Sequence, residues 1–256
     1  MNYLCLSLYP NRIFKPLNIG VKVIKVKLSI LIPVYNEERT LAKIVEKVQQ
    51  VHIPDVEKEL IIINDASTDN TSKILEDLRL KYSNVKSFHH QVNQGKGAAI
   101  KTALNFALGD IIVIQDGDLE YNPEDFKRLI IPIIGNKTKV VYGSRMLGTR
   151  TGFLIKSHYY GNKFLTLVTK ILFNQKITDM ETCYKMFTKD IFKKIRIESN
   201  RFDFEPEITA KIIKKGYKIV EIPISYNCRS FKEGKKINWR DGIIAIYKLF
   251  KYRFSK

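Results

Sequence analysis

Two carboxylates separated by one glycine stand near the middle of the chain, just after four apolar β-forming residues. The apolar run is Ile111–Ile114, and the acidic residues are Asp116 and Asp118, with Gly117 between them. The run predicts a buried central strand, and open α/β sheets bind ligands at the carboxyl ends of their strands. Carboxylate oxygens suit Mg²⁺ or Mn²⁺, and the glycine lets both side chains turn toward one ion. A solvated acidic turn would carry the same residues, so the pair alone leaves both interpretations open.

A lysine between two glycines is the second group with possible chemistry. Gly95, Lys96 and Gly97 precede a stretch whose apolar residues follow helical spacing. Glycines at a helix start let an anion approach the backbone N–H groups closely, and a lysine adds positive charge. The stretch does not follow the P-loop pattern, because no Gly-Lys-Ser/Thr occurs at the required spacing. The alternative interpretation is a plain loop with a flexible lysine.

Strands and helices alternate through the first half of the chain, which is typical of a parallel, doubly wound sheet. The predicted strands in this half are residues 28–34, 60–63, 85–88 and 111–114. In the second half, the pattern predicts a helix start, a strand, an amphipathic stretch and an edge strand that contains Pro223. These four elements are residues 123–125, 139–142, 162–173 and 217–226.

The chain carries a large excess of positive charge. Its 256 residues include 44 Lys and Arg against 26 Asp and Glu, a formal net charge of +18. An excess of this size indicates an acidic partner, such as nucleic acid, anionic lipid headgroups or a phosphorylated substrate. The basic residues are spread along the chain and no nucleic-acid-binding motif occurs, which argues against nucleic acid. No apolar run approaches the roughly 20 residues that are needed to cross a bilayer.

The domain organisation is predicted as a loose leader at residues 1–26, one large domain at 27–236 and a basic amphipathic helix at 237–256. The last segment can lie on an anionic membrane surface or pack on the domain, and both interpretations stay open. Its apolar stripe is Trp239, Ile243, Ile246, Tyr247, Phe250 and Phe254.

The cysteines form no zinc or disulfide pattern and fit a reducing cytosol. They are Cys5, Cys183 and Cys228.

Four motifs occur together in one order along the chain: Ile-Pro-Val-Tyr-Asn-Glu at 32–37, Asn-Asp-Ala-Ser-Thr-Asp at 64–69, Asn-Gln-Gly-Lys-Gly at 93–97 and Asp-Gly-Asp at 116–118. In these motifs the chain resembles the family-2 glycosyltransferases. The closer likeness is to the dolichyl-phosphate mannosyltransferases and related polyprenyl-phosphate glycosyltransferases, over roughly residues 27–256. The resemblance implies an α/β fold of the GT-A type, with a mostly parallel central sheet flanked by helices and a nucleotide-sugar site. Residues 27–236 would then be the catalytic domain.

The resemblance also implies which residues bind the donor. Pro33, Tyr35 and Glu37 would line the nucleoside pocket, and Asp65 would contact the base or ribose. Lys96 would add positive charge on the donor side. The aspartates of the Asp-x-Asp motif, Asp116 and Asp118, would hold the Mg²⁺ or Mn²⁺ that bridges the donor diphosphate. A divalent ion there would stabilise the charge that develops on the leaving group.

On the acceptor side, the resemblance assigns a phosphate-binding role to Ser144 and Arg145, with Arg145 in a catalytic role. The stretch 179–185 corresponds to the family's Asp-Pro-x-Ser-Gly-Phe-Arg, but Cys183 stands for the glycine and Lys185 for the arginine. A lysine does not reproduce the two-point contact of an arginine with a phosphate. Arg229 and Lys235 match basic positions near the family's C-terminal end and would also lie near phosphates.

The remaining candidates have more than one interpretation. Glu205 and Glu207 can mark a helix start, and Glu205 can also act in catalysis. Tyr184 and Phe187 are expected in the core rather than in the site. The histidines show no metal or triad spacing and receive no role. They are His52, His89, His90 and His158.

The expected function is inverting transfer of a hexose from a UDP- or GDP-sugar to a polyprenyl or dolichyl phosphate. The enzyme would work as a peripheral protein at the cytosolic face of a membrane. One alternative is transfer to a saccharide hydroxyl, which needs a base, with Asp203 or Glu205 as the candidate. The alternative from another class is a basic nucleic-acid-binding protein. The sequence does not indicate the oligomeric state.

Overall fold

The computed structural model describes residues 25–152, 156–229 and 239–255. Their main feature is a seven-stranded sheet in the order β3-β2-β1-β4-β7-β5-β8. The strands are β1 Val26–Val34, β2 Val56–Asn64, β3 Val85–His89, β4 Ile111–Ile114, β5 Val140–Ser144, β7 Lys185–Thr188 and β8 Ile219–Pro223. Two further short strands, β6 Arg150–Gly152 and β9 Tyr226–Cys228, pair with each other in parallel.

Helices cover the sheet. They are α1 Leu41–Gln50, α2 Thr71–Lys81, α3 Lys96–Phe106, α4 Phe126–Leu129, α5 Ile131–Ile134, α6 Lys156–Phe173, α7 Asp190–Lys194, α8 Phe204–Lys214 and α9 Trp239–Phe254. A turn of 3₁₀ helix, Pro123–Asp125, precedes α4, and Asn122 caps it by accepting a hydrogen bond from the backbone of Glu124. This confirms the helix start predicted at 123–125. None of the helices among the described residues is long and apolar enough to cross a membrane.

The parallel first half predicted from the sequence is confirmed. β1 pairs in parallel with β2 on one side and with β4 on the other, and β2 pairs in parallel with β3. Side chains of these central strands are almost wholly removed from water, as in β4, where all four residues are buried. Burial on both faces explains why the central strands are continuous apolar runs rather than alternating patterns.

The second half contains a strand that the pattern did not predict. β7 lies between β4 and β5 and is antiparallel to both. It has four residues and begins with a buried lysine, Lys185, so it lacks an apolar run of the usual length. The expectation that Tyr184 and Phe187 belong to the core is confirmed, because both side chains are fully buried.

The edge position of the last strand is confirmed as well. The stretch predicted as one strand at 217–226 divides into β8, which ends at Pro223 on the edge of the large sheet, and β9. Proline cannot donate a backbone hydrogen bond, which explains both its edge position and the end of β8 there.

Because β7 is antiparallel to both β4 and β5, these two strands run in the same direction. The carboxyl ends of β1, β2, β4 and β5 therefore meet at one edge of the sheet, together with the start of β7. The chain places β2 on one side of β1 and β4 on the other, which makes the gap between β1 and β4 a topological switch point. Ligands of open α/β sheets bind at such a point.

The C-terminal helix α9 packs on α6 and α8. Its inward side chains Ala245, Leu249 and Tyr252 are buried. The packing interpretation therefore holds for one face of the helix. Residues 1–24 and 230–238 lie outside the described part, so the boundaries 1–26, 27–236 and 237–256 stay a prediction.

Candidate active site

The loops that follow β1 and β2 are bound to each other by hydrogen bonds. The Asn36 side chain accepts from the backbone of Thr68 at 2.8 Å, and the backbone N–H of Glu37 donates to Thr71 Oγ1 at 3.0 Å. Pro33 lies in β1 and Tyr35 follows that strand, both half-buried. The residues predicted to line a nucleoside pocket thus lie beside the switch point, on a loop whose backbone is fixed by its neighbour.

Asp65 begins the loop that follows β2, but its side chain is turned toward the interior. Its carboxylate accepts hydrogen bonds from the backbone N–H groups of Gln94 at 2.9 Å and Gly95 at 2.7 Å, and it contacts His90 Nδ1 at 2.7 Å. The side chain is only 4% exposed. Asp65 therefore fixes the loop before α3, and its carboxylate has almost no surface for a base or ribose. His90, for which no role was predicted, helps to hold the Asp65 carboxylate.

The glycines beside Lys96 are required by the chain itself. A Cβ on Gly95, whose φ is +97°, would lie 2.5 Å from the carbonyl oxygen of Asn200, and one on Gly97 would lie 2.6 Å from that of Ser199. The close approach predicted for an anion is therefore made by the loop that precedes α8. Lys96 itself places its ammonium between two carboxylates.

Lys96 Nζ lies 2.8 Å from Asp116 Oδ1 and 2.8 Å from Glu205 Oε1. Burial would lower the pKa of Lys96, but the nearby carboxylates raise it well above its ordinary value. Burial would likewise raise the pKa of Asp116. The positive charge of Lys96 outweighs the effect of burial, and the pKa of Asp116 is therefore lowered. The second oxygen of Glu205, Oε2, is buried and has no hydrogen-bond partner among the described residues. The Lys96 ammonium thus links Glu205 to Asp116 in one buried cluster.

Glu205 lies in the first turn of α8, so the predicted helix start is confirmed. Asp203, the other candidate base, stands at the N-cap position and its Oδ2 lies 2.8 Å from Lys248 Nζ. Glu207 accepts hydrogen bonds from the backbone of Glu198 at 2.8 Å and of Ser199 at 2.6 Å. Of these acidic residues, only Glu205 is joined by Lys96 to the Asp-x-Asp motif.

Asp118 is paired with Arg229. Asp118 Oδ2 lies 2.5 Å from Arg229 Nη2, and Arg229 Nη1 lies 3.6 Å from Glu37 Oε2. Burial, followed by the negative charges of Asp116 and Glu120, raises the pKa of Asp118 to about 8, although Arg229 opposes the rise. Arg229 thus lies beside Asp118 and Glu37, two residues predicted for the donor site, whereas its own predicted role is with the acceptor phosphate.

These carboxylates fit a divalent cation in their chemistry. Burial, followed by the negative charges of Asp116 and Glu120, raises the pKa of Asp118, and a bound cation would favour its ionised form. Among the residues that the structure describes, no three acidic, histidine or cysteine side chains converge on one metal position. Mg²⁺ is commonly bound by one or two carboxylates together with substrate phosphates and water, and two aspartates meet that requirement.

Arg145 follows β5 at the same edge of the sheet. Its Nε and Nη2 donate to Asp179 Oδ2 at 2.7 Å and Oδ1 at 2.8 Å, and its guanidinium lies 5.1 Å from the centre of the Tyr226 ring. Asp179 also accepts from Asn162 Nδ2 at 2.8 Å. The sequence assigned no role to Asp179, although its place at the start of the 179–185 motif was a signal.

Two residues predicted to hold the acceptor phosphate are inaccessible. Ser144 is fully buried, and its hydroxyl shares a 2.6 Å hydrogen bond with that of Thr178. Lys185 is fully buried too, and its ammonium donates to the carbonyl oxygens of Met180, at 2.9 Å, and Thr182. Burial lowers the pKa of Lys185 to about 8, against the raising effect of Glu205 and Glu181. Lys185 therefore supports the 179–184 loop, and Ser144 is bonded to Thr178, which precedes that loop. Lys235 lies outside the described residues.

Comparison with known proteins identifies the family of the chain. The model of the family described as glycosyl transferase family 2 matches residues 29–196. A UDP-N-acetylglucosamine–dolichyl-phosphate N-acetylglucosaminyltransferase of Methanococcus voltae is 29% identical over 247 residues, which are 90% of this chain and 97% of that protein. A dolichyl-phosphate β-glucosyltransferase of Trichomonas vaginalis is 28% identical over 220 residues, which are 79% of this chain and 66% of that protein.

Solved structures agree with the fold. Glucosyl-3-phosphoglycerate synthase from Mycobacterium tuberculosis, in complex with Mn²⁺, UDP-glucose and phosphoglyceric acid, superposes with a TM-score of 0.69 at 16% identity. The match covers 89% of this chain and 80% of that one. At this identity the likeness concerns the fold alone, which is the GT-A architecture expected from the sequence.

Proposed function

Because the chain belongs to glycosyl transferase family 2, we propose that it transfers a hexose from a nucleotide-sugar donor to a polyprenyl or dolichyl phosphate. The observation that carries the proposal is the shared sheet edge. Asp116 and Asp118 follow β4, and Arg145 follows β5, two strands away in the same sheet. A site for an anionic donor thereby lies next to an arginine suited to an anionic acceptor. The names of the relatives, which act on dolichyl phosphate, support this acceptor.

On the donor side, Asp116 and Asp118 would hold Mg²⁺ or Mn²⁺, which when bound would offset the charge that develops on the leaving nucleoside diphosphate. The Mn²⁺ in the structurally similar synthase supports this choice of cofactor. Pro33, Tyr35 and Glu37 would border the nucleoside. Arg229, which lies between Asp118 and Glu37, would contact the diphosphate.

On the acceptor side, Arg145 would bind the phosphate. Asp179 occupies Nε and Nη2, so Nη1 is the nitrogen that Asp179 does not engage. A phosphate monoester is already ionised at neutral pH, so its oxygen can attack the anomeric carbon without a general base. The bond to the nucleoside diphosphate breaks as the new bond forms on the opposite face of the sugar, which inverts the anomeric configuration.

One observation favours the alternative acceptor, a saccharide hydroxyl. Glu205 Oε2 is a buried oxygen without a partner among the described residues, and it lies on the residue that Lys96 joins to Asp116. A carboxylate in that place can accept a proton from a hydroxyl acceptor. It can equally accept a hydrogen bond from a hydroxyl of the donor sugar. The family membership supports either transferase over a nucleic-acid-binding protein.

The enzyme would work at the cytosolic face of a membrane, as a peripheral protein. Cys183 is a free, buried thiol, which suits a reducing compartment.

The test is incubation of the purified protein with a panel of radiolabelled nucleotide sugars, a polyprenyl phosphate and Mn²⁺, followed by extraction with organic solvent. We expect label in the organic phase with one donor, and about 10²–10³ less with an Asp118→Asn variant. Label that remains in the aqueous phase but is transferred to added saccharides would support the hydroxyl acceptor instead.

A further inference from the structure

Two neighbouring helices expose apolar side chains along their outer surface. Among the described residues, nine of the sixteen large apolar side chains that are most exposed lie on α6 and α9. They are Tyr160, Phe164, Leu167 and Ile171 on α6, and Ile243, Ile244, Tyr247, Phe250 and Phe254 on α9. Single exposed apolar residues are normal, but a contiguous apolar surface marks an interaction site. We call these nine residues the α6–α9 face.

The spacing of these residues places them on one side of each helix. On α6 they recur at intervals of four, three and four residues, and the opposite side buries Leu165 and Thr169. On α9, Ile243, Tyr247, Phe250 and Phe254 repeat the same intervals, and the opposite side buries Leu249. Side chains at such intervals share one side of a helix.

The two exposed sides point in the same direction. The α6 and α9 helices pack on each other and both contact α8. Arg253 Nε, near the end of α9, donates to the carbonyl oxygen of Leu172, near the end of α6, at 2.7 Å. The helices therefore run side by side in the same direction above one core, and their exposed sides form one surface.

The charge of the two helices is mostly positive, although α9 carries Asp241 and its Lys251 pairs with Glu198 at 3.3 Å. No acidic residue occurs in α6, and Lys156, Lys163 and Lys170, seven residues apart, are all exposed along one flank of its apolar side. On α9, Arg240 and Lys251 are exposed, and the single acidic residue is Asp241. Apolar residues bordered by lysine and arginine are typical of helices that lie in the interface of an anionic bilayer.

We propose that the α6–α9 face docks on a membrane with anionic headgroups. A second copy of the chain is the less favourable occupant, because a symmetric contact would bring the basic flanks of both copies together. The proposal rests on the proposed function in one respect, namely the position of the acceptor. Asn162, in the second turn of α6, binds Asp179, which holds Arg145. A chain docked on this face would therefore have its acceptor arginine next to the start of a membrane-bound helix.

The experiment is sedimentation of the full-length protein with vesicles of phosphatidylcholine and phosphatidylglycerol, compared with vesicles of phosphatidylcholine alone. A stripe variant combines Leu167→Gln with Tyr247→Gln, and a charge variant combines Lys163→Glu with Lys170→Glu. Matched controls replace exposed apolar residues by Gln and exposed lysines by Glu elsewhere on the surface. They are Leu80→Gln with Leu108→Gln, at 83% and 61% exposure, and Lys43→Glu with Lys73→Glu, also at exposed lysines. Circular dichroism verifies the fold of every variant.

We expect the wild type to sediment with the anionic vesicles and less so as salt is raised. The stripe and charge variants should bind at least roughly tenfold more weakly, because they remove buried apolar area or reverse two contacting charges. Both controls should bind as the wild type does. Equal binding by the stripe variant and the wild type would overturn the proposal. So would a wild-type dimer in solution that the stripe variant dissociates and that does not bind vesicles.

A transfer assay with a short, water-soluble polyprenyl phosphate separates this proposal from the proposed function. The stripe variant should retain transfer to the soluble acceptor while it loses vesicle binding. If the wild type binds anionic vesicles through the face but transfers no sugar, the proposed function fails and the docking surface stands. If it transfers sugar but does not bind vesicles, the docking surface fails alone.

Discussion

Arg145 and Asp179 form a two-point ion pair across 34 residues of sequence, with Nε and Nη2 donating to the two carboxylate oxygens at 2.7 and 2.8 Å. The backbone N–H of Arg145 donates to the same carboxylate at 2.9 Å. Asp179 is fully buried, and the arginine side chain is 14% exposed. The direction of the guanidinium at the sheet edge is therefore fixed by a residue that a ligand cannot reach.

We predict that Asp179→Asn raises the KM for the acceptor by roughly ten- to hundredfold, because Arg145 loses the partner that orients it. The KM for the donor should change little. Steady-state kinetics with each substrate varied in turn will measure both. An Asp190→Asn variant is the matched control, since Asp190 pairs with Lys139 at 2.6 Å on the surface, where such pairs contribute little. An unchanged acceptor KM together with a raised donor KM would move Arg145 to the donor side.

Replacing the arginine itself is a less selective test. Arg145→Ala would leave Asp179 as an unpaired charge in the interior, and removal of one partner of a buried pair costs about 3–5 kcal/mol of stability. Loss of activity in that variant would then combine misfolding with lost binding. The Asp179→Asn variant keeps the arginine and has a neutral side chain at the buried position 179.

A second prediction concerns the divalent ion. Asp118→Asn should lower transfer by about 10²–10³, because the variant loses a charged oxygen at the leaving diphosphate. Its affinity for Mn²⁺ in the presence of the nucleoside diphosphate, measured by calorimetry, should fall in parallel. Glu76→Gln changes an exposed carboxylate on α2 and should alter neither quantity. Full activity of the wild type in excess chelator would contradict the metal assignment.

The strand end that carries the Asp-x-Asp motif could be predicted because its signals are local. The apolar run of β4, the glycine at 117 and the aspartates on either side lie within eight consecutive residues, 111–118. The alternation of strands and helices indicated a parallel sheet, but the strand order and the switch point between β1 and β4 are known only from the structure.

The partners of these residues could not be predicted, because each is a long-range contact. Asp65 with His90, Lys96 with Glu205 and Arg145 with Asp179 are joined only when the chain folds. The antiparallel strand β7 was missed for a related reason: its four residues are held by pairing with β4 and β5 rather than by an apolar pattern of their own.

A third prediction separates the two acceptor classes at Glu205. If the acceptor is a phosphate, Glu205→Gln should lower kcat less than about tenfold and leave the pH dependence of kcat unchanged, because no base is needed. Its main effect should be a raised KM for the donor, since Lys96 loses one of its two carboxylate partners. Asp203→Asn is the comparison, because Asp203 pairs with Lys248 on α9 instead. A loss of about 10²–10⁴ in kcat, with disappearance of the acidic limb of the pH profile, would support a hydroxyl acceptor and Glu205 as its base.

The last prediction is a dependence of stability on pH that arises from Asp179. Burial would raise the pKa of this carboxyl, but the Arg145 guanidinium outweighs burial and holds the pKa below its ordinary value. The unfolded chain therefore binds a proton at a higher pH than the folded one, near pH 3.9 for an ordinary aspartate. It follows that the ion pair stabilises the fold fully above about pH 5, and that this stabilisation is lost as the pH falls toward the lowered pKa.

Urea unfolding of the wild type and of Asp179→Asn from pH 7 down to pH 3 will measure the stabilisation that the Arg145–Asp179 ion pair contributes. The difference between their free energies of unfolding should be constant from pH 7 to about pH 5 and shrink below that, because the asparagine does not titrate. The difference isolates Asp179 from the other acidic groups, which are present in both proteins. A difference that stays constant down to pH 3, or grows toward acid, would show that the pKa of Asp179 is not lowered by Arg145 in the folded chain.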